Sequence, residues 1–129
     1  MIGDVLGIVG ALICGAVALF QVAAVLGAPV GAYTQGGRRP GALSRGGRVV
    51  AGVSVILLML MAASFLAAAG YGPLMEFDIG VRDALWVFTS GYSVVGAVLN
   101  LLTPSRKERM VFGPTSLVLL TLVVGINVV

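Results

Sequence analysis

Four long apolar runs divide the chain, each almost free of the polar relief that a soluble helix shows every third or fourth position. They extend from about Val5 to Gly27, Arg48 to Ala69, Asp83 to Leu102 and Val111 to Val129. A helix needs about 20 apolar residues to cross a hydrocarbon core about 30 Å thick, so each run has the length of one crossing. None shows the roughly ten-residue alternation of a transmembrane strand. Helices satisfy their own backbone in lipid, where an unpaired amide costs several kcal/mol. The pattern predicts an all-α fold, a polytopic membrane four-helix bundle in which residues 1–129 form a single transmembrane domain.

Composition agrees with lipid as the solvent. The chain is 59% hydrophobic and 10% charged, with mean hydropathy +1.10, against roughly 25% charged residues in soluble domains. Too little polar surface remains to coat a water-soluble body. The net charge of +3 would suggest nucleic acid in a soluble protein. Here the basic residues lie between apolar runs, where they face lipid phosphates, so no nucleic-acid partner is expected. Asp4 and the lack of a basic stretch ahead of the first run argue against a cleaved signal peptide. Ile13 before Cys14 argues against a lipoprotein site, and the lone cysteine is read as a buried thiol.

Charge sets the expected orientation. Arg38, Arg39, Arg45 and Arg48 flank the first connection, and Arg106, Lys107 and Arg109 the third. The other side holds only Arg82 among Asp4, Glu76, Asp78 and Asp83. Seven basic residues against one predict, by the positive-inside rule, cytoplasmic basic loops and non-cytoplasmic termini. Asp4 and Asp83 would sit at helix N-termini, where a carboxylate complements the dipole. Each basic residue near anionic lipid contributes about 1 kcal/mol, so anionic headgroups are the expected partners of the seven. A sharper possibility is an anion held by Arg38 and Arg39 beside the Gly36–Gly37 amides, although that sequence lacks the strand-loop-helix context of a phosphate loop.

Two connections have more detailed expectations. Ala28–Gly47 is rich in Gly and Pro, too short to fold alone, and expected to lie on the headgroups. Ser105 and Glu108 fit a capping box. Pro114 would then break the helix begun at Arg106, leaving a short basic turn over Arg106–Phe112, a kink near Gly113, and the fourth span ending with Val129 at the outer interface.

Candidate functional residues are few. Thr89, Ser93, Gly96, Asn100 and Thr103 recur at steps of four and three, which places them on one face of the third span. Gly3, Gly7, Gly10, Ala11, Cys14 and Gly15 form a matching seam on the first, continued by Gln21. Spans one and three run the same way, so Gln21 and Asn100 are expected at similar depth, sharing a hydrogen bond of about 0.6–2 kcal/mol. The lane serves either as packing core or as a path for a small solute or lipid headgroup. Trp86 and Tyr71 are expected as interfacial anchors, and the Tyr92 hydroxyl is expected to need a partner such as Ser64. The chain has no histidine, and its carboxylates fall at span ends or loops. No catalytic constellation, metal site or cofactor is expected.

The stretches Gly27-Ala28-Pro29-Val30-Gly31, Gly36-Gly37-Arg38-Arg39-Pro40-Gly41-Ala42-Leu43 and Asn100-Leu101-Leu102-Thr103-Pro104-Ser105-Arg106-Lys107-Glu108-Arg109, with Gly113-Pro114 beyond, resemble a group of small, uncharacterised four-span bacterial membrane proteins. The likeness runs over nearly the whole chain and departs at Ser44, where a proline is expected. It implies a bacterial cytoplasmic membrane and the same topology, and it implies no activity. From the sequence alone the leading expectation is a non-enzymatic membrane protein acting by helix association, as an accessory subunit of a larger complex or a self-associating homo-oligomer. A small oligomeric channel or transporter comes second, and a lipid-modifying enzyme third.

Overall fold

The computed structural model describes every residue from Met1 to Val129. Four helices account for most of it: α1 (Ile2–Val25), α2 (Arg45–Ala68), α3 (Ile79–Leu102) and α4 (Arg106–Val128). All four are long and apolar enough to cross a membrane. Their up-down order puts the connections after α1 and α3 at one end, the basic end, and the termini with the α2–α3 connection at the other. α1 packs most closely on α2 and α3 on α4, with lighter α1–α4 and α2–α3 contact, so α1 and α3 face each other across the diagonal.

Start signals explain where the helices begin, several residues before the apolar runs do. Ser44 caps α2, its Oγ accepting from Gly47 N at 3.2 Å. Serine is among the preferred N-cap residues. α3 is capped by Asp78, whose Oδ2 accepts from Gly80 N at 2.9 Å. Asp83, expected at that terminus, lies one turn inside the helix. Asp4 does occupy the first turn of α1.

The fourth helix differs from expectation. It runs unbroken from Arg106 through Pro114, with no separate basic turn. Pro114 removes one backbone donor, but the Ser105 cap, with Glu108 N donating to Ser105 Oγ at 3.1 Å, holds the first turns in register. Only half of the expected capping box forms. Ser105 N donates to Thr103 Oγ1, and the Glu108 carboxylate turns elsewhere.

Gly7 and Gly10 of the α1 seam pack on α2, not on the polar lane of α3. A Cβ at Gly7 would lie 2.6 Å from the Phe65 carbonyl oxygen, and one at Gly10 would fall inside the Phe65 ring. Phe65 is fully buried between these glycines, and its ring meets Trp86 edge-on at 5.5 Å. Around it Cys14, Ala18, Leu58, Met61, Ala62, Leu119, Leu122 and Val123 form one core, which fills the middle of the bundle and the half nearer the termini. In lipid such packing is driven by van der Waals contact, which close backbone approach maximises.

The first connection does fold. Gly31 N donates to Gly41 O at 2.8 Å, closing a loop through two short 3-10 turns, Gly31–Tyr33 and Gln35–Gly37. Leu43 is buried against Ala24 and Ala51, and Thr34 is buried with it. Gln35 Nε2 donates to Gly47 O at 2.8 Å, and Ser105 Oγ to Ala32 O at 2.5 Å. The loop is thus tied to the starts of both α2 and α4. It forms a cap on the basic end of the bundle, because its few apolar residues and free backbone groups find partners that an isolated segment lacks.

Candidate functional site

Beneath this cap lies a cavity of about 230 Å³ in the basic half of the bundle. Its polar lining comes from all four helices and the loop: Gln21 of α1, Ser54 of α2, Tyr92, Ser93 and Asn100 of α3, Glu108 and Ser116 of α4, and Tyr33 and Thr34. Leu58, Met61 and Leu119 close its floor and belong to the central core. The cavity is therefore blind toward the termini. At its other end a neighbouring hollow shares Thr34, Ser54, Leu99, Asn100 and Glu108 and adds Arg38, Leu102, Thr103 and Pro104. The opening thus lies between α2 and α3, under the edge of the loop.

The lane on α3 faces inward as its spacing predicts. Thr89, Ser93 and Thr103 are buried, while Gly96 and Asn100 line the cavity. Ser93 Oγ donates to Thr89 O at 2.8 Å. Gln21 and Asn100 are brought into the same cavity but not to each other. Asn100 Nδ2 donates to Ser116 Oγ at 2.5 Å, and the shielded Gln21 Oε1 has no partner. The diagonal placement of α1 and α3 sets the two amides on opposite walls. Tyr92 is not bonded to Ser64; its ring lies against Phe88 at 5.6 Å and lines the cavity. Trp86, expected as an anchor, donates through Nε1 to Asn127 Oδ1 at 3.1 Å and so ties α3 to α4. Tyr71 is exposed in the α2–α3 connection.

The basic residues Arg38, Arg39, Arg45, Arg48, Arg106, Lys107 and Arg109 are all exposed at the same end. Two of them cap helix C-termini, where a cation complements the dipole. Arg48 Nε donates to Val25 O at 2.6 Å, and Arg109 Nη1 to Thr103 O at 2.8 Å. The Lys107 ammonium stands 5.6 Å over the Tyr33 ring. The Gly36 and Gly37 amides are not free to hold an external anion. Gly37 N donates to Thr34 O at 2.9 Å, and Gly36 N to Glu108 Oε2 at 3.3 Å.

Glu108 is the residue that sequence reading missed. It is 7% exposed, yet it lines both the cavity and its opening. The Gly36 amide is its side chain's one hydrogen bond, and the only ion pair in the molecule joins the N-terminus to Asp4. A signal was present: Glu108, Phe112, Ser116 and Leu119 are spaced four, four and three apart on one helical face, and all four line the cavity. The capping box gave the carboxylate a sufficient local role and hid this one.

Taken together, the fold defines a class: an all-α, multi-pass membrane bundle with a blind polar cavity under a basic cap. No protein-family model, curated protein or solved structure matches the chain.

Proposed function

We propose that this chain is a non-enzymatic membrane protein that holds a small polar solute or a lipid headgroup in the cavity at its basic end. The observation that carries the reading is a carboxylate and an amide, Glu108 and Gln21, placed in a sheltered cavity at the basic end of the bundle with spare hydrogen-bonding capacity. Polar groups inside a membrane are costly and mark binding sites or pathways more often than structure. The blind floor favours holding over conduction, since the central core blocks any path through one chain. On the positive-inside rule the site opens toward the cytoplasm of a bacterial cell, with both termini outside, consistent with the four-span bacterial group that the sequence resembles.

Helix association is the second reading, and α3 favours it. Only 17% of its apolar window is buried, against 28–33% in the other spans, which leaves room for a second copy or a larger complex. One experiment separates the two. The protein is taken from native membrane into polymer discs and its retained small molecules and lipids are weighed, beside a Gln21→Leu variant. Selective enrichment that the variant loses while keeping its melting temperature supports a binding protein. A stoichiometric protein partner, with lipids matching the bulk membrane, supports association instead.

A further inference from the structure

Resting on that reading, we propose that the group received by the cavity is an ammonium, held against the Glu108 carboxylate. Glu108 is buried with no basic side chain within 4 Å, although Arg38, Arg106, Lys107 and Arg109 are near it in the fold or the chain. A buried carboxylate without a paired cation is costly, and one backbone N–H at 3.3 Å offsets little of that cost. The missing partner is a positive charge, and the cavity is built to supply the rest of its shell.

The neighbouring helix α1 turns a free acceptor into the same space, and no cation lines the cavity. Gln21 Oε1 is unpartnered, and Tyr92 and Phe112 present aromatic surface to the cavity. An ammonium suits that lining, because it donates to oxygens and is attracted to ring faces. A hard metal ion does not suit it. Calcium takes about six to eight oxygen ligands, and here a single carboxylate faces the cavity in a chain without histidine. At about 230 Å³ the space is below the roughly 300–1,000 Å³ of drug-sized sites, which fits a small amine or one headgroup. Arg38 at the opening matches the phosphate of a zwitterionic headgroup whose ammonium enters beyond it. A free primary amine offers the same ammonium without the phosphate.

The test uses the full chain in two arms. In detergent, melting temperature is followed against n-butylammonium chloride, with potassium chloride and n-butanol as charge and shape controls. In discs of phosphatidylglycerol mixed with phosphatidylethanolamine, the lipid retained after delipidation is weighed. Wild type should be stabilised by butylammonium and by neither control, or should retain phosphatidylethanolamine over phosphatidylglycerol. Response in the first arm alone identifies a free amine; response in the second alone identifies the headgroup. Glu108→Gln keeps an acceptor for Gly36 N and removes the charge, and should weaken the response about tenfold or more. If that variant does not fold, the butylammonium–butanol comparison on wild type still decides. Stabilisation by butylammonium no greater than by butanol or potassium chloride, together with no retention of phosphatidylethanolamine over phosphatidylglycerol, would overturn the ammonium assignment. It would leave the cavity as a binding site for another group.

Discussion

The two halves of the bundle are built on opposite principles. Toward the termini, glycines of α1 admit Phe65 of α2, and every side chain in the middle is apolar or small. Toward the basic end the helices part, the lining turns polar, and a folded loop covers a space instead of filling it. The first half holds the helices at a fixed spacing, and the second uses that spacing to keep a cavity open. Rigidity at one end is what allows polarity at the other, since a loosely held bundle would collapse onto an unfilled space.

Three experiments test that division. The largest effect is expected in the packed half. Gly10→Val drives side-chain atoms into the Phe65 ring, and overpacking of this kind costs about 1–3 kcal/mol or more. Gly15→Ala, one helical turn and a half further on, meets nothing within 4 Å and should leave thermal unfolding in detergent nearly unchanged. Equal losses for the two would mean that α1 does not pack through this seam. Next comes the cap. Gly31 is buried, and its Cβ position is occupied by the Arg39 carbonyl oxygen, so Gly31→Ala should release residues 28–44. Amide exchange should rise there by about tenfold or more, with the exchange of α2 beyond Leu58 unaltered. Uniform protection across the loop would show that it is not held this way. The smallest effect belongs to Asn100 and Ser116. A double-mutant cycle with Asn100→Leu and Ser116→Ala should give a coupling of about 0.6–2 kcal/mol, whereas coupling of Asn100 to Gln21→Leu should be near zero. The reverse result would restore the α1–α3 pair and close the cavity.

Much of the fold is legible in the residues because lipid imposes a simple rule. A run of about 20 apolar residues has little choice but to form a spanning helix, and the four runs did so. The lane on α3 follows from the same periodicity, and its inward face needed no tertiary information. Boundaries were less legible, since Ser44 and Asp78 start their helices before the apolar runs begin.

What the chain order and spacing could not reveal is which helix stands beside which. Adjacent placement of α1 and α3 would have joined Gln21 to Asn100; the diagonal placement separates them and gives Asn100 to Ser116. The role of Glu108 and the folding of the Gly-rich loop depend on that same choice, because each takes its partner from residues about 70 positions away. Local pattern and the solvent thus determined the helices and the residues that face inward. Packing alone decided their neighbours, because hydrogen bonds and steric fit act between surfaces that only the assembled bundle brings together.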